Sequence, residues 1–365
     1  MTRPAKAPIT VRRLASILGV SATTVSLALR GSPRLTARTR RRVRAAAARH
    51  GYVPNARLSE LMTELRLTRD RSYTGTLALL GFYRDSMPWH HYPHLKRIAD
   101  GARRAAKIHG YILEEFGMDQ AGLGARRLKS ILEARNVSGI FCVGAERAGL
   151  ELPAALSNFV VVTQGVSIAG EINRVMSHFG EDCARVLNEL LDRGYRRPGL
   201  VIDPEGDERT NFEYSNTYLG VCDRILPGQR IPVLRSPRFS PKVFDRWYRR
   251  NRPDVLVVHQ RPESVRDLLS HLGDLGLECP RSIGLAILGS VVEPDPCSGI
   301  RQDFERIGAG AVEMLIERVA LASIMPRRPP KIEVVEGTWQ EGRTLRPRMI
   351  PPRAVPRVAW TAARR

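Results

Sequence analysis

Acidic side chains are missing from the first 59 residues of this 365-residue chain and again from residue 343 to its end, although 37 Asp and Glu occur in the whole. Cysteine is sparse: five residues (Cys142, Cys183, Cys222, Cys279, Cys297) with no CxxC spacing. That argues against a disulfide framework or a zinc site and fits reduced, intracellular thiols, so a cytoplasmic location is expected. Apolar runs such as 159–163 and 285–288 are strand-length, far short of the ~20 residues a spanning helix needs. A secretory leader is a poor fit because Arg12 and Arg13 interrupt the only stretch that would form its apolar region. GxxxxGK[ST], HExxH and GxSxG motifs are all absent. Gly308-Ala309-Gly310 lacks a third glycine and does not follow a strand, so it is no dinucleotide fingerprint. No cofactor, metal or enzymatic activity is expected.

What is present is charge, unevenly placed. The formal excess is +21, from 58 Lys and Arg. Thirteen of these stand in residues 1–59, whereas residues 60–326 carry 35 basic and 34 acidic side chains. A near-neutral body with a purely cationic head is the pattern of a tethered polyanion-binding module. The length suffices for two or three domains.

In the head, Thr10 is placed to cap a helix with Leu14, Ile17 and Leu18 on one face, ended by Gly19. Ser21 caps a second helix whose Val25, Ala28 and Leu29 point inward over Val20. Its outward face (Ala22, Thr23, Ser26, Leu27, Arg30) is small and almost uncharged, suited to close approach to a groove. Thr36 caps a third helix running to His50, with Val43, Ala46 and Ala47 inward and six Arg solvated. Three helices with a tight Gly-containing turn between the first two make a helix-turn-helix.

The run Ile9-Thr10-Val11, Leu14-Ala15, Gly19-Val20-Ser21, Thr24-Val25-Ser26, Leu29, Thr36, Thr39-Arg40, Val43 and Gly51-Tyr52-Val53-Pro54-Asn55 resembles the head of the LacI/GalR family of bacterial transcription regulators. The resemblance implies that Thr10, Ser21, Thr24, Ser26, Thr36, Thr39, Tyr52 and Asn55 hold phosphates, with Arg30 added in place of the family's usual Asn. It implies that Ala22, Thr23 and Leu27 face base edges in the major groove, with Arg34 in reach of a base or phosphate from the loop. Leu27 stands where many members carry a longer polar side chain, leaving apolar contact to a thymine methyl. Asn55 then begins a short hinge helix. Leu61 occupies the position at which the family wedges a Leu into the minor groove, although Leu58-Ser59-Glu60 departs from the usual neighbours.

From residue 76 onward, short apolar runs alternate with helical stretches, the pattern of a doubly wound parallel sheet. Strands are expected at 76–82, 111–116, 139–143, 159–163, 199–203, 254–259, 283–288 and 331–336. Helices are expected at 95–109, 125–135, 180–193, 242–250, 262–275 and 304–322. A weak echo between 133–143 and 249–258 suggests two similar lobes, resembling periplasmic sugar-binding proteins. The fold class is therefore a small all-α head joined by a hinge helix to a two-lobed α/β periplasmic-binding-protein-like domain. The expected division is 1–54 for the DNA-binding head, 55–72 for the hinge, 73–350 for effector binding and dimerisation, and 351–365 for a basic tail.

Looser family resemblance continues to about residue 347, and it departs most in the cleft. An Arg common three residues before a Gly that opens a C-lobe helix is Thr217; an Asn-Asp pair is Gln260-Arg261; a late Asp aligns with Gly289. Bidentate recognition of sugar hydroxyls uses such groups. Either the effector differs, contacted by residues such as Trp89, His91, Tyr92, Phe212, Tyr214 or Gln260, or the cleft responds to a protein. His90, His91 and His94 raise a metal reading that Pro93 and the lack of nearby carboxylates or thiols disfavour. The expected function is that of a repressor: a homodimer on a pseudo-palindromic DNA operator, tuned by a small, carbohydrate-like effector. The rivals are an α/β enzyme with a DNA-binding head, for which no nucleophile with a base is visible, and a nonspecific architectural binder, which would not need so large a body.

Overall fold

A computed structural model describes residues 11–29, 35–50, 75–83, 88–117, 124–225, 228, 230–290, 297–322 and 329–347; for 11–13, 22, 23, 26 and 290 only the backbone is described. The expected hinge helix with Leu61, the basic tail, and Thr10, Arg30, Arg34, Tyr52 and Asn55 lie outside the described residues.

The head consists of α1 (Val11–Leu18), α2 (Ala22–Leu29) and α3 (Ala37–Arg49). Gly19 takes a left-handed φ of 64°, which lets α2 start only three residues after α1 ends. Leu14, Ala15, Leu18, Val25, Ala28, Val43, Ala46 and Ala47 form one small core. Ile17, expected in that core, is 49 % exposed, and Ala15 is buried in its stead. With only eight residues in α1, the small side chain brings the helices close, and Ile17 falls outside the contact.

The body holds two six-stranded sheets. The first uses β1 (Gly75–Phe82), β2 (Tyr111–Gly117), β3 (Val137–Ala145), β4 (Val160–Gln164), β5 (Asn173–Ser177) and β11 (Ile332–Val335), in the all-parallel order β11-β5-β4-β3-β1-β2. The second uses β6 (Pro198–Ile202), β7 (Leu234–Arg235), β8 (Val255–His259), β9 (Gly284–Ser290), β10 (Ser298–Arg301) and β12 (Thr338–Gln340), in the order β12-β10-β9-β8-β6-β7 with β12 antiparallel. Helices cover both faces of each, so the central strands are apolar throughout rather than alternating, whereas β2 and β11 at the edges of the first sheet carry Glu114, Glu115 and Glu333. In β1, Leu77 and Leu79 enter one core cluster while Ala78 and Leu80 enter the other. In β8, Val255 and Val257 face one way, Leu256 and Val258 the other.

In the first lobe, α4 (Pro93–Ile108) packs against α11 (Phe304–Ala322), with α5 (Ala125–Ala134) on the opposite face. The α4–α11 contact is backbone on backbone: a Cβ on Gly101 would overlap the carbonyl oxygen of Glu305, and one on Gly308 that of Ile98. The second lobe carries α6 (Phe179–Asp192), α7 (Pro204–Arg209), α8 (Glu213–Ile225), α9 (Pro241–Asn251) and α10 (Pro262–Asp274). Every strand and helix expected in the body occurs within about two residues. Strands β5, β7, β10 and β12 and helices α7 and α8 are additional, and Gly220 lies inside α8 instead of opening it.

The chain crosses between lobes at 177–179, 301–304 and 335–338. Asp182, in the first turn of α6 and 2 % exposed, joins these crossings. Its Oδ1 accepts the Gly337 N–H at 2.9 Å, and Arg185 donates to the Gly337 carbonyl at 3.1 Å. The Gln302 side chain lies close enough to the Asp182 carboxylate to oppose the rise of its pKa. The His178 N–H reaches the Val335 carbonyl at 3.1 Å.

Candidate functional site

Two surfaces carry the chemistry. On the head, the N-termini of α2 and α3 are built alike. Ser21 Oγ accepts the Thr24 N–H at 3.0 Å and lies 2.8 Å from Thr24 Oγ1. Thr36 Oγ1 accepts the Thr39 N–H at 3.2 Å and lies 2.9 Å from Thr39 Oγ1. Each pair gathers two hydroxyls at the positive end of a helix dipole, where phosphate oxygens are favoured. Leu27 is half-exposed on α2; the side chains of Ala22, Thr23 and Ser26 are not described. The Arg residues of α3 are not all solvated. Arg40 donates to the Leu35 carbonyl at 2.6 Å and Arg42 to the Leu18 carbonyl at 2.5 Å, tying α3 to the flanking turn and to α1.

The second surface is a cavity of about 230 Å³ between the lobes. Its walls are the carboxyl ends of strands, where ligands of doubly wound sheets bind. Tyr83 follows β1, Ala145 ends β3 and Gln164 ends β4, while Asp203 follows β6, His259 ends β8 and Gly289 lies in the last turn of β9. His94 of α4, Arg209 at the end of α7, Gln260, Arg261 and Gln302 complete it. Asp203 caps α7, its Oδ1 accepting the Glu205 N–H at 3.2 Å, and burial raises its pKa. His94 and His259 are both held down to about 4, first by burial and then by the Arg209 charge, and so are neutral at physiological pH. Burial lifts the Tyr83 phenol to about 12. Tyr214 backs the wall, its ring 4.7 Å from that of His259 and its hydroxyl accepting from Gln302 at 2.9 Å.

Of the residues expected in the cleft, Gln260 and Gly289 line it and Tyr214 lies directly behind. Tyr92 is 44 % exposed at its edge, 6.1 Å from the rings of Tyr83 and His94. The rest are elsewhere. Trp89 is buried in the first lobe and donates to Glu115 at 2.9 Å. His91 is exposed, Phe212 is exposed at the α7–α8 turn, and Thr217 rests against the Gly180 backbone of α6. The three neighbouring histidines diverge: His90 pairs with Glu115 at 3.1 Å and His94 enters the cleft. Among the described residues no group of three His, Cys, Asp or Glu is placed to hold a metal. Arg209, His259, Asp203 and Gln164 were not anticipated. Their signal was positional, since each follows or ends a strand or short helix at the carboxyl edge of a sheet.

A helix-turn-helix head on a two-lobed body with a cleft at the strand ends defines a DNA-binding regulator, and sequence comparison agrees. Residues 11–55 match the family described as bacterial regulatory proteins, lacI family, and residues 187–345 match the periplasmic binding protein-like domain. The chain thus carries a lacI-family helix-turn-helix head followed by a periplasmic binding protein-like domain, and its relatives are transcriptional regulators of that kind. It is 24 % identical to the HTH-type transcriptional regulator PtxS of Pseudomonas plecoglossicida over 346 residues, 89 % of this chain and 93 % of that one. It is 46 % identical to AglR of Rhizobium meliloti (strain 1021) over 212 residues, 54 % of this chain and 53 % of that one. Among solved structures, the regulator CelR in complex with cellobiose aligns with a TM-score of 0.57 at 18 % identity, covering 92 % of this chain and 99 % of CelR. The lac repressor dimer bound to operator and the anti-inducer ONPF aligns at 0.53 and 17 %, with the same coverage.

Proposed function

We propose that this regulator is a repressor, acting as a homodimer on a pseudo-palindromic operator, and that a small carbohydrate-like molecule in the interlobe cleft alters its operator affinity. The observation that carries the reading is the position of the cleft. Gln302 lines the cavity, lies in one crossing between the lobes, and is near the carboxylate of Asp182, which grips a second crossing through Gly337. A ligand that prefers one lobe orientation thereby biases the crossings, by no more than its difference in affinity for the two states. The cellobiose complex of CelR and the operator-bound lac repressor dimer, both of this fold, support a sugar-like effector and a dimer.

In this reading residues 1–54 form the DNA-binding head, 55–72 the hinge and 73–350 the effector and dimer domain, with 351–365 a basic tail. Ser21, Thr24, Thr36 and Thr39 hold phosphates, helped by Thr10, Ser26, Arg30, Tyr52 and Asn55. Ala22, Thr23, Leu27 and Arg34 read bases, and Leu61 enters the minor groove. No described helix is long and apolar enough to cross a membrane, and we place the protein in the cytoplasm with its operator. Footprinting at moderate salt tests this: a discrete protected palindrome is expected, and uniform protection of the fragment would contradict it. Thr23 substitutions should shift sequence preference, whereas Thr36→Ala should weaken all sites alike, by about tenfold for ~1.4 kcal/mol. Equal loss on every sequence from a Thr23 change would overturn the base-reading assignment.

A further inference from the structure

We propose that the molecule taken by the cleft is an acid: a small polyhydroxylated compound carrying one carboxylate or phosphate, received by Arg209. The inference rests on the effector reading above and narrows its chemistry. Two guanidinium groups line the cavity. Arg261 is already engaged, its Nε 3.9 Å from Asp203 Oδ2 and its Nη2 3.7 Å from Glu205 Oε2. Arg209, half-buried at the end of α7, makes no hydrogen bond or ion pair among the described residues. Arg174, sequestered in the first lobe, is matched by contrast, donating to the carbonyls of Gly165, Ile168 and Gly170. An unmatched guanidinium in a cavity is costly once closure removes its water, and an oxyanion that accepts its paired N–H groups is what it fits.

The surrounding groups reinforce the charge preference. Asp203, the carboxylate that lines the cavity, caps α7 and pairs with Arg261; the Arg209 charge reaches it and opposes the rise of its pKa, but the two form no direct ion pair, so Arg209 keeps N–H groups for a ligand. His94 and His259 approach from opposite lobes as neutral imidazoles, adding hydrogen-bonding capacity without further charge. His259 Nδ1 and Gln260 Oε1 are buried without a partner. They are suited to ligand hydroxyls, one beside an acceptor or donor ring nitrogen and one beside an amide oxygen. The cavity, about 230 Å³, lies below the range of about 300–1,000 Å³ typical of drug-sized ligands and favours a compact one. A neutral sugar would use the hydroxyl partners and leave Arg209 unpaired.

The test is calorimetric titration of the full-length protein with matched compounds: glucose, galactose and cellobiose against gluconate, glucuronate, galacturonate and glucose 6-phosphate, with inorganic phosphate as a control. At least one acid should bind tenfold or more tightly than its neutral counterpart. Arg209→Gln should abolish that advantage and Arg209→Lys should restore part of it. The carboxylate and phosphate arms tell which oxyanion is preferred. A neutral sugar that binds as tightly as the acids, or acid binding that survives Arg209→Gln, overturns the proposal and leaves the effector reading standing. If none of the compounds binds, both fall.

Discussion

Asp182 offers a measurement that isolates one group at the junction of the lobes. Its carboxylate is 2 % exposed, and burial raises its pKa from 3.8 to about 6 despite the Gly337 N–H and the nearby His178 and Arg185. Oδ2 has no hydrogen-bond partner. A rise of that size means that ionising Asp182 costs the folded state about 3 kcal/mol more than it costs the unfolded chain. The folded protein binds more protons than the unfolded chain between pH 3.8 and about 6, so this group makes stability fall as pH rises through that window and leaves it low above. Asp182→Asn keeps an oxygen for Gly337 and removes the charge. The amide nitrogen it leaves unpaired costs ~1–3 kcal/mol, so the net change at pH 7.5 is small or stabilising. The discriminating quantity is the difference between variant and parent: it should move in favour of Asn by ~2–2.5 kcal/mol from pH 4 to pH 7.5. Urea unfolding at several pH values reads it directly, because every other titrating group cancels in the difference. A difference that is flat with pH would refute the assignment of a buried, uncompensated carboxylate to this junction.

The α4–α11 crossing predicts a steric effect. Gly308→Ala places a methyl on the Ile98 carbonyl, forces the helices apart and should cost ~1–3 kcal/mol or more; a thermal midpoint equal to that of the parent would contradict the contact. His259 predicts the opposite pH sign to Asp182. Its folded pKa of about 4 lies below the unfolded 6.5, so the stability associated with its neutral state is present above 6.5 and lost as pH falls toward 4. His259→Phe should flatten the acid-side loss by ~1–3 kcal/mol, and parallel stability curves for the two proteins would count against it. Thr36→Ala should also lower the stability of the isolated α3 cap by ~1 kcal/mol, visible as earlier melting of the head by circular dichroism.

Local chemistry wrote much of the architecture into the sequence. Ser21 and Thr36 announce their helices because a hydroxyl three residues before a free N–H satisfies it wherever the rest of the chain goes. The strands of the body were legible because a sheet covered on both faces needs unbroken apolar runs, as in Leu77–Leu80 and Val255–Val258. The charge-split head and the spacing of its small residues mark the DNA-binding class in the sequence itself. Elements lacking such signals were missed. Strands β7 and β12 span two and three residues, too short for a period to show. The cleft was decided by tertiary structure alone. Trp89 looked like a ligand contact and is a core residue, because α4 and β2 close over it and Glu115 takes its N–H. Arg209 looked like one arginine among 58 basic residues. Only the fold brings it to the carboxyl ends of strands from both lobes, between two imidazoles that its own charge and burial keep neutral. Sequence sets what each segment can form by itself, whereas an unpaired charge is defined by what all other segments fail to place beside it.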